Sequence, residues 1–142
     1  MKTNLMIGVI LALLAAGLYG HLRKAERYEA PALAAGYRGM VLEMPGNQLA
    51  WLKKGDSVDF ISVFDAVMGE GRKEKVAATL LQNVRVAGVN QRNGTIVLLV
   101  NPNEAQYASL AKVQGEVRLS LRAPGDSAMS AMEISSYRRL IK

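Results

Sequence analysis

Apolar and polar positions divide the chain into three unlike stretches. Residues 5–22 are apolar apart from Tyr19 and His21 and carry no charge. Residues 36–126 break into short apolar runs separated by glycine, proline and asparagine, the pattern of strands joined by turns. Residues 127–142 show little periodicity. The middle stretch is organised around residues 52–64. Gly55-Asp56 is a turn signal, because glycine reaches positive φ and aspartate bonds its own neighbouring backbone. The run from Val58 to Phe64 has few polar interruptions, which predicts a long strand buried on both faces.

The neighbouring elements follow in order. Gly36 to Met44 reads as a short strand stopped by Pro45-Gly46. Residues 47–52 read as a helical turn or a wide loop that sets Trp51, the one tryptophan, against the domain. Core or core-edge packing is the ordinary role of such a residue. Residues 68–75 contain two glycines and five charged side chains and predict an exposed loop. Residues 76–89 resume as extended chain, with Val84 and Val86 inward and Asn83 and Arg85 outward. Asn93-Gly94 predicts a tight hairpin turn with positive φ at both positions, leading into residues 95–100 as a central strand.

Asn101-Pro102-Asn103-Glu104 is a helix start. Asn101 caps, Pro102 suits the first helical position, and Glu104 completes a capping box. Ala105, Ala108, Leu110, Ala111 and Val113 carry the helix, and Gly115 stops it. Val117, Leu119 and Leu121 then alternate with Glu116, Arg118, Ser120 and Arg122 as a half-exposed strand, and Pro124-Gly125-Asp126 closes the domain. From Ser127 the chain reads as a short helix with Met129, Met132 and Tyr137 on one side, or as a tail ordered by a partner.

The fold expected is α+β, mainly β: a compact, barrel-like domain with one short helix, preceded by a single N-terminal transmembrane helix. The corresponding divisions are an anchor at 1–22, a linker at 23–35, the β-rich domain at 36–126 and a tail at 127–142. About 18 apolar residues are at the lower edge of what crosses a bilayer. Small-x-small cleavage sites near its end are poor, which favours an uncleaved signal-anchor over a signal peptide. Gly8, Ala12, Ala16 and Gly20 recur every fourth residue on one helix face, a spacing that lets two membrane helices approach and self-associate. Small residues are also simply common in membrane helices. His21, the only histidine, suits the interface better than a site.

Composition narrows the chemistry. Cysteine is absent, which excludes disulfides, thiolate metal sites and cysteine nucleophiles. A serine–histidine relay lacks a placed histidine. Asp56 and Asp59 are the one close carboxylate pair in a turn-and-strand setting. The turn accounts for the first, and strand-end solvation or an arginine such as Arg85 for the second. No catalytic residue, metal site or cofactor is expected. The net charge of +6 is scattered and unaccompanied by an aromatic platform, so nucleic acid is not an expected partner. The candidate partner-binding residues are Trp51, with Arg72, Lys73 and Lys75 in the charged loop.

The ordered segments resemble one family. Gly36-Tyr-Arg, Leu52-x-x-Gly55-Asp56-x-Val58-Asp59-Phe60 and Thr79-Leu-Leu-Gln-Asn-Val-Arg-Val86 look like the C-terminal half of Flp (tight adherence) pilus assembly proteins of the CpaB/RcpC type. Pro102-x-Glu104-Ala105, Gly115-x-x-x-Leu119-Ser-Leu-Arg122 and Pro124-Gly125-Asp126 continue the resemblance to residue 126. Lys54 stands where the family tends to have proline, and the 23–35 linker stands where members usually carry a SAF domain. The resemblance implies a short form of an inner-membrane, single-pass protein with its main domain in the periplasm. Its implied partners are other pilus secretion-system proteins, the secretin among them, and the membrane; further copies of itself are expected from the small-residue face of the anchor. Charge alone argues the opposite orientation, since Arg23, Lys24 and Arg27 outnumber Lys2 across the apolar stretch. An envelope-polymer binding module, peptidoglycan or polysaccharide, is the alternative function.

Overall fold

The computed structural model describes residues 33–45 and 47–137. The apolar stretch 5–22, with Gly8, Ala12, Ala16 and Gly20, lies outside them, as do most of the 23–35 linker and Gly46. Among the described residues six strands and one α-helix follow one another: β1 (Arg38–Glu43), β2 (Ser57–Met68), β3 (Arg72–Asn90), β4 (Thr95–Val100), α1 (Pro102–Gln114), β5 (Gly115–Leu121) and β6 (Ile134–Ser136). All pairings are antiparallel, in the order β1-β4-β3-β2-β5, with β6 joined to β3. The molecule is mainly β with a single α-helix among the described residues, as the patterning predicts.

The long strand β3 is bent by three extra residues. Its register with β2 runs Val58↔Val84, Phe60↔Leu81 and Ile61↔Thr79, and with β4 Val86↔Leu98 then Gly88↔Val97. Each slip is a bulge, which increases local twist and curls the sheet. The bulges also shift the alternation: Leu81 and Val84, three apart, are both buried, while Asn83 and Arg85 are exposed. Asn83 sits at φ 56°, in the left-handed region, where asparagine is tolerated better than most residues.

Helix α1 lies on the curled face. Its inward side chains are alanines, Ala108 and Ala111, both essentially inaccessible. They belong to one core with Leu42, Val58, Phe60, Val86, Ile96 and Leu98. Small inward residues let the helix approach the sheet closely, and it touches every strand from β1 to β5. The start of α1 matches its prediction. Asn101 Oδ1 accepts from the Glu104 N–H at 2.9 Å, and the Asn101 N–H donates to Glu104 Oε2 at 2.7 Å. Asn101→Ala is expected to lower unfolding stability by about 1 kcal/mol, with Asn103→Ala nearly silent; chemical denaturation of the two variants checks this.

Several expectations are corrected. The 58–64 run is not buried on both faces: Val58, Phe60 and Ser62 are buried, but Ile61, Val63 and Phe64 are only partly so. The other face of β2 carries little cover. Residues 72–75 are not loop but the start of β3, paired with β2 from Met68↔Arg72 to Asp65↔Lys75; only Gly69–Gly71 turns. Charged side chains suit a strand that is exposed on both faces. The Asn93-Gly94 hairpin has a four-residue loop, since Asn90 pairs with Thr95. Only Gly94 has positive φ there, because Asn90 Oδ1 accepts from the Arg92 N–H and organises the wider turn. The end of the linker is packed, with Leu33 lying over Gly39 beside Val97. Residues 127–133 have no helix; the chain crosses to pair as β6 on Val76–Ala78 of β3.

Ser62 is fully buried and its Oγ has no hydrogen-bond partner among the described residues. A buried hydroxyl left unpaired costs about 1–3 kcal/mol relative to water. Ser62→Ala is therefore expected to leave stability unchanged or raise it by about 1 kcal/mol, measured as the shift of the denaturant midpoint at constant slope.

Candidate functional site

The four candidate partner-binding residues do not form one surface. Trp51 is 86% exposed, against the packing role predicted for it. The turn that carries it buries Leu49 and Leu52 instead, and Gln91 Nε2 donates to the carbonyls of Leu49 and Ala50 at 3.3 Å. One helical turn cannot send Leu49, Trp51 and Leu52 to one side, and the two leucines fill the core. Trp51 thus stands beside the β3–β4 hairpin. Arg72, Lys73 and Lys75 stand at the opposite end of β3, about 45 Å of strand away.

That opposite end is a projecting hairpin. β5 pairs with β2 only as far as Phe64, and β6 pairs with β3 only from Val76. Beyond those points no third strand among the described residues pairs with residues 65–68 or 72–75. Val67 is 65% exposed at this tip and Met68 is exposed beside it. Lys75 Nζ lies 3.1 Å from Asp65 Oδ1, an open ion pair of small energetic weight. A shallow hollow of about 110 Å³ lies between Met68, Gly69, Arg72 and Lys73. The tip offers apolar side chains, cations and strand edges with no third described strand beside them, which is the chemistry of strand addition by a protein partner.

A second feature was missed in the sequence. Arg122, read there as an outward residue of the last long strand, has a side chain only 6% exposed. Its Nη1 donates to Asp59 Oδ1 at 2.7 Å, its Nη2 lies 3.1 Å from Asp126 Oδ2, and it also donates to the carbonyls of Asp126 and Ala128. Asp59 Oδ1 further accepts from the Asn83 N–H at 2.9 Å, satisfying the amide that the bulge turns away from the ladder. Asp59 therefore pairs with Arg122, which lies beside it on the face away from the core. The charged hydrogen bond to Asp59 pushes the Arg122 guanidinium above its ordinary value. The Asp126 carboxyl is held below its ordinary value, first by the Ala128 N–H and then, against a desolvation effect of opposite sign, by Arg122.

Around this cluster lies a groove of about 320 Å³, bounded by the Gly55-Asp56 turn, Asn83 and the turn after Ala123. Arg85 lines it as an exposed cation. Neither carboxylate of the Asp56–Asp59 pair is spare, since Asp56 Oδ2 accepts from the Lys53 N–H at 2.9 Å and closes the turn. Among the described residues no three His, Asp or Glu side chains converge in a way that would hold a metal ion. Comparison with protein-family models, curated proteins and solved structures finds no match.

Proposed function

We propose that the protein is a non-enzymatic, membrane-anchored assembly or scaffolding component of a Flp (tight adherence) pilus secretion system. In this reading residues 5–22 hold it in the bacterial inner membrane, and the β-rich, barrel-like domain lies in the periplasm. The observation that supports it best is the β2–β3 hairpin, which reaches past the other described strands and carries Val67 exposed at its tip. A two-stranded projection joined to a well-packed core suits docking to another protein. The segment resemblance supplies the system; the hairpin supplies the surface. The alternative, an envelope-polymer module that uses Trp51 and residues 69–75, would have to engage its ligand at both ends of β3.

The test places a photoreactive side chain at Val67 of the full-length protein in cells carrying the pilus secretion genes. Cross-links to a secretion-system protein are expected there, and none from the same group placed at Ser109 on α1. Labelling equal at both positions overturns the docking role. Alkaline phosphatase fused after Lys142 should be active if the domain is exported; a silent phosphatase beside an active cytoplasmic reporter overturns the topology and the pilus reading with it.

A further inference from the structure

The outer edge of β5 and one flank of α1 form a continuous surface with the features of a self-complementary interface. β5 ends the sheet order, and nothing among the described residues pairs with its outer edge. The Arg122 N–H donates to Ser57 O at 2.9 Å, and the β2–β5 register runs unbroken from there to Gly115. The alternation of an antiparallel strand then turns the backbone groups of Ser120, Arg118 and Glu116 toward β2. Those of Leu121, Leu119 and Val117 face outward and are free to pair. On the sheet face away from the core, Glu116 and Arg118 are exposed and bonded to each other, Nη2 to Oε2 at 2.8 Å.

The helix completes the surface. Lys112 Nζ donates to Glu43 O of β1, so the Lys112 flank of α1 faces the β1 end of the sheet. Tyr107 lies about 140° around the helix from Lys112, with Ala108 and Ala111 between them. The Tyr107 flank therefore faces the β5 end, and Leu110 follows it one turn on. Tyr107 is 61% exposed and Leu110 is 60% exposed. The helix turns its alanines to its own sheet and its larger apolar residues away from it.

We infer that two copies of this chain associate across the β5 edge, antiparallel about a two-fold axis at Val117. This register pairs the outward backbone groups of Val117 with their symmetry mates and sets Glu116 opposite the partner copy's Arg118, twice. Opposite charges directly across an antiparallel pair are favourable and like charges are not. Centring on Arg118 instead would set two arginines face to face. Continuing the sheet through β5 also brings the two copies of α1 alongside each other on the same face. Each helix touches all five of its own strands, β2 and β5 most, so the β5 flanks of the two helices face one another across the seam. Tyr107 and Leu110 then fill the seam. The interface is isologous and closed, as two-fold dimers require.

The chain has no cysteine, so single cysteines report the register. Two differently tagged full-length chains, one carrying Glu116→Cys and the other Arg118→Cys, are co-expressed and oxidised in membranes. The opposed pair sits about 4.5 Å apart at Cα, within disulfide reach, whereas identical positions are about 8 Å apart and beyond it. The mixed disulfide is expected in about tenfold excess over that from either variant alone. Equal or absent mixed bridging overturns the register. Independently, Glu116→Arg should reduce the dimer fraction several-fold, and adding Arg118→Glu should restore it. A dimer indifferent to both changes, held by another segment or through β1, overturns the interface.

Discussion

Gly115→Ala should unfold the domain or lower its stability by more than about 3 kcal/mol, the upper end of what overpacking costs. The reason is proximity and not backbone angle. Gly115 has φ −175°, an extended conformation open to any residue. A Cβ there, however, would lie 2.1 Å from the Val63 carbonyl oxygen and 3.0 Å from Phe64 Cα. Neither atom can retreat, because β2 is held on its other side by β3 at these residues. Helix α1 must end and β5 must begin within one residue, and the strand enters its ladder where the partner backbone is closest. Gly125→Ala, at φ 79° with open space around it, should cost less, about 1 kcal/mol. Denaturant titrations of the two variants side by side give the contrast; equal losses would mean that the contact at Val63 relaxes freely.

Arg122→Ala is expected to be the next most damaging change. It leaves Asp59 without its cation, frees the turn at residues 123–128 and loosens the bulge that Asp59 pins. Arg122→Lys should recover only part of the loss, since one ammonium cannot serve Asp59, Asp126 and two carbonyls in different directions. Acid should reveal the same cluster. The folded Asp126 carboxyl lies below its unfolded value, so its contribution is complete above the ordinary aspartate pKa of about 4. That contribution is lost as pH falls through the folded value. Asp126→Asn should therefore reduce stability at neutral pH and flatten the acid limb of the stability profile. An acid limb unchanged by Asp126→Asn would show that this carboxylate titrates alike in folded and unfolded chains.

The elements that could be read from sequence are those fixed by local chemistry. β4 falls where the apolar run placed it, and α1 starts with the predicted cap because Asn101, Pro102 and Glu104 act within one turn. Gly115 does end the helix, although its need for glycine comes from β2, which is distant in sequence. The β2–β3 tip was hidden for the opposite reason: strands exposed on both faces lose the apolar alternation by which strands are recognised. Trp51 was misplaced because aromatic size favours burial on average, while the turn's geometry buries Leu49 and Leu52. Arg122 gave no local sign at all. Its partner Asp59 is 63 positions away, and alternation alone sends an arginine after Leu121 outward into water.

The strand order also bears on how the chain reaches this state. β2 and β3 meet through a three-residue turn, whereas β1 must find β4 across a separation that brings Arg38 to Val100. Closing a long loop is slow compared with closing a tight one, so pairings between distant residues form late. The long hairpin is the natural nucleus, and β4 and α1 can build on it from chain already nearby. β1 stands at one end of the strand order and pairs with β4 alone among the described residues, so it can detach without breaking any other strand pairing. With Arg38 to Glu43 detached, Leu42 leaves the core and β4 becomes the new margin of the sheet, exposing an almost wholly apolar strand. Such an opening at one end of the molecule leaves an adhesive margin uncovered until β1 returns.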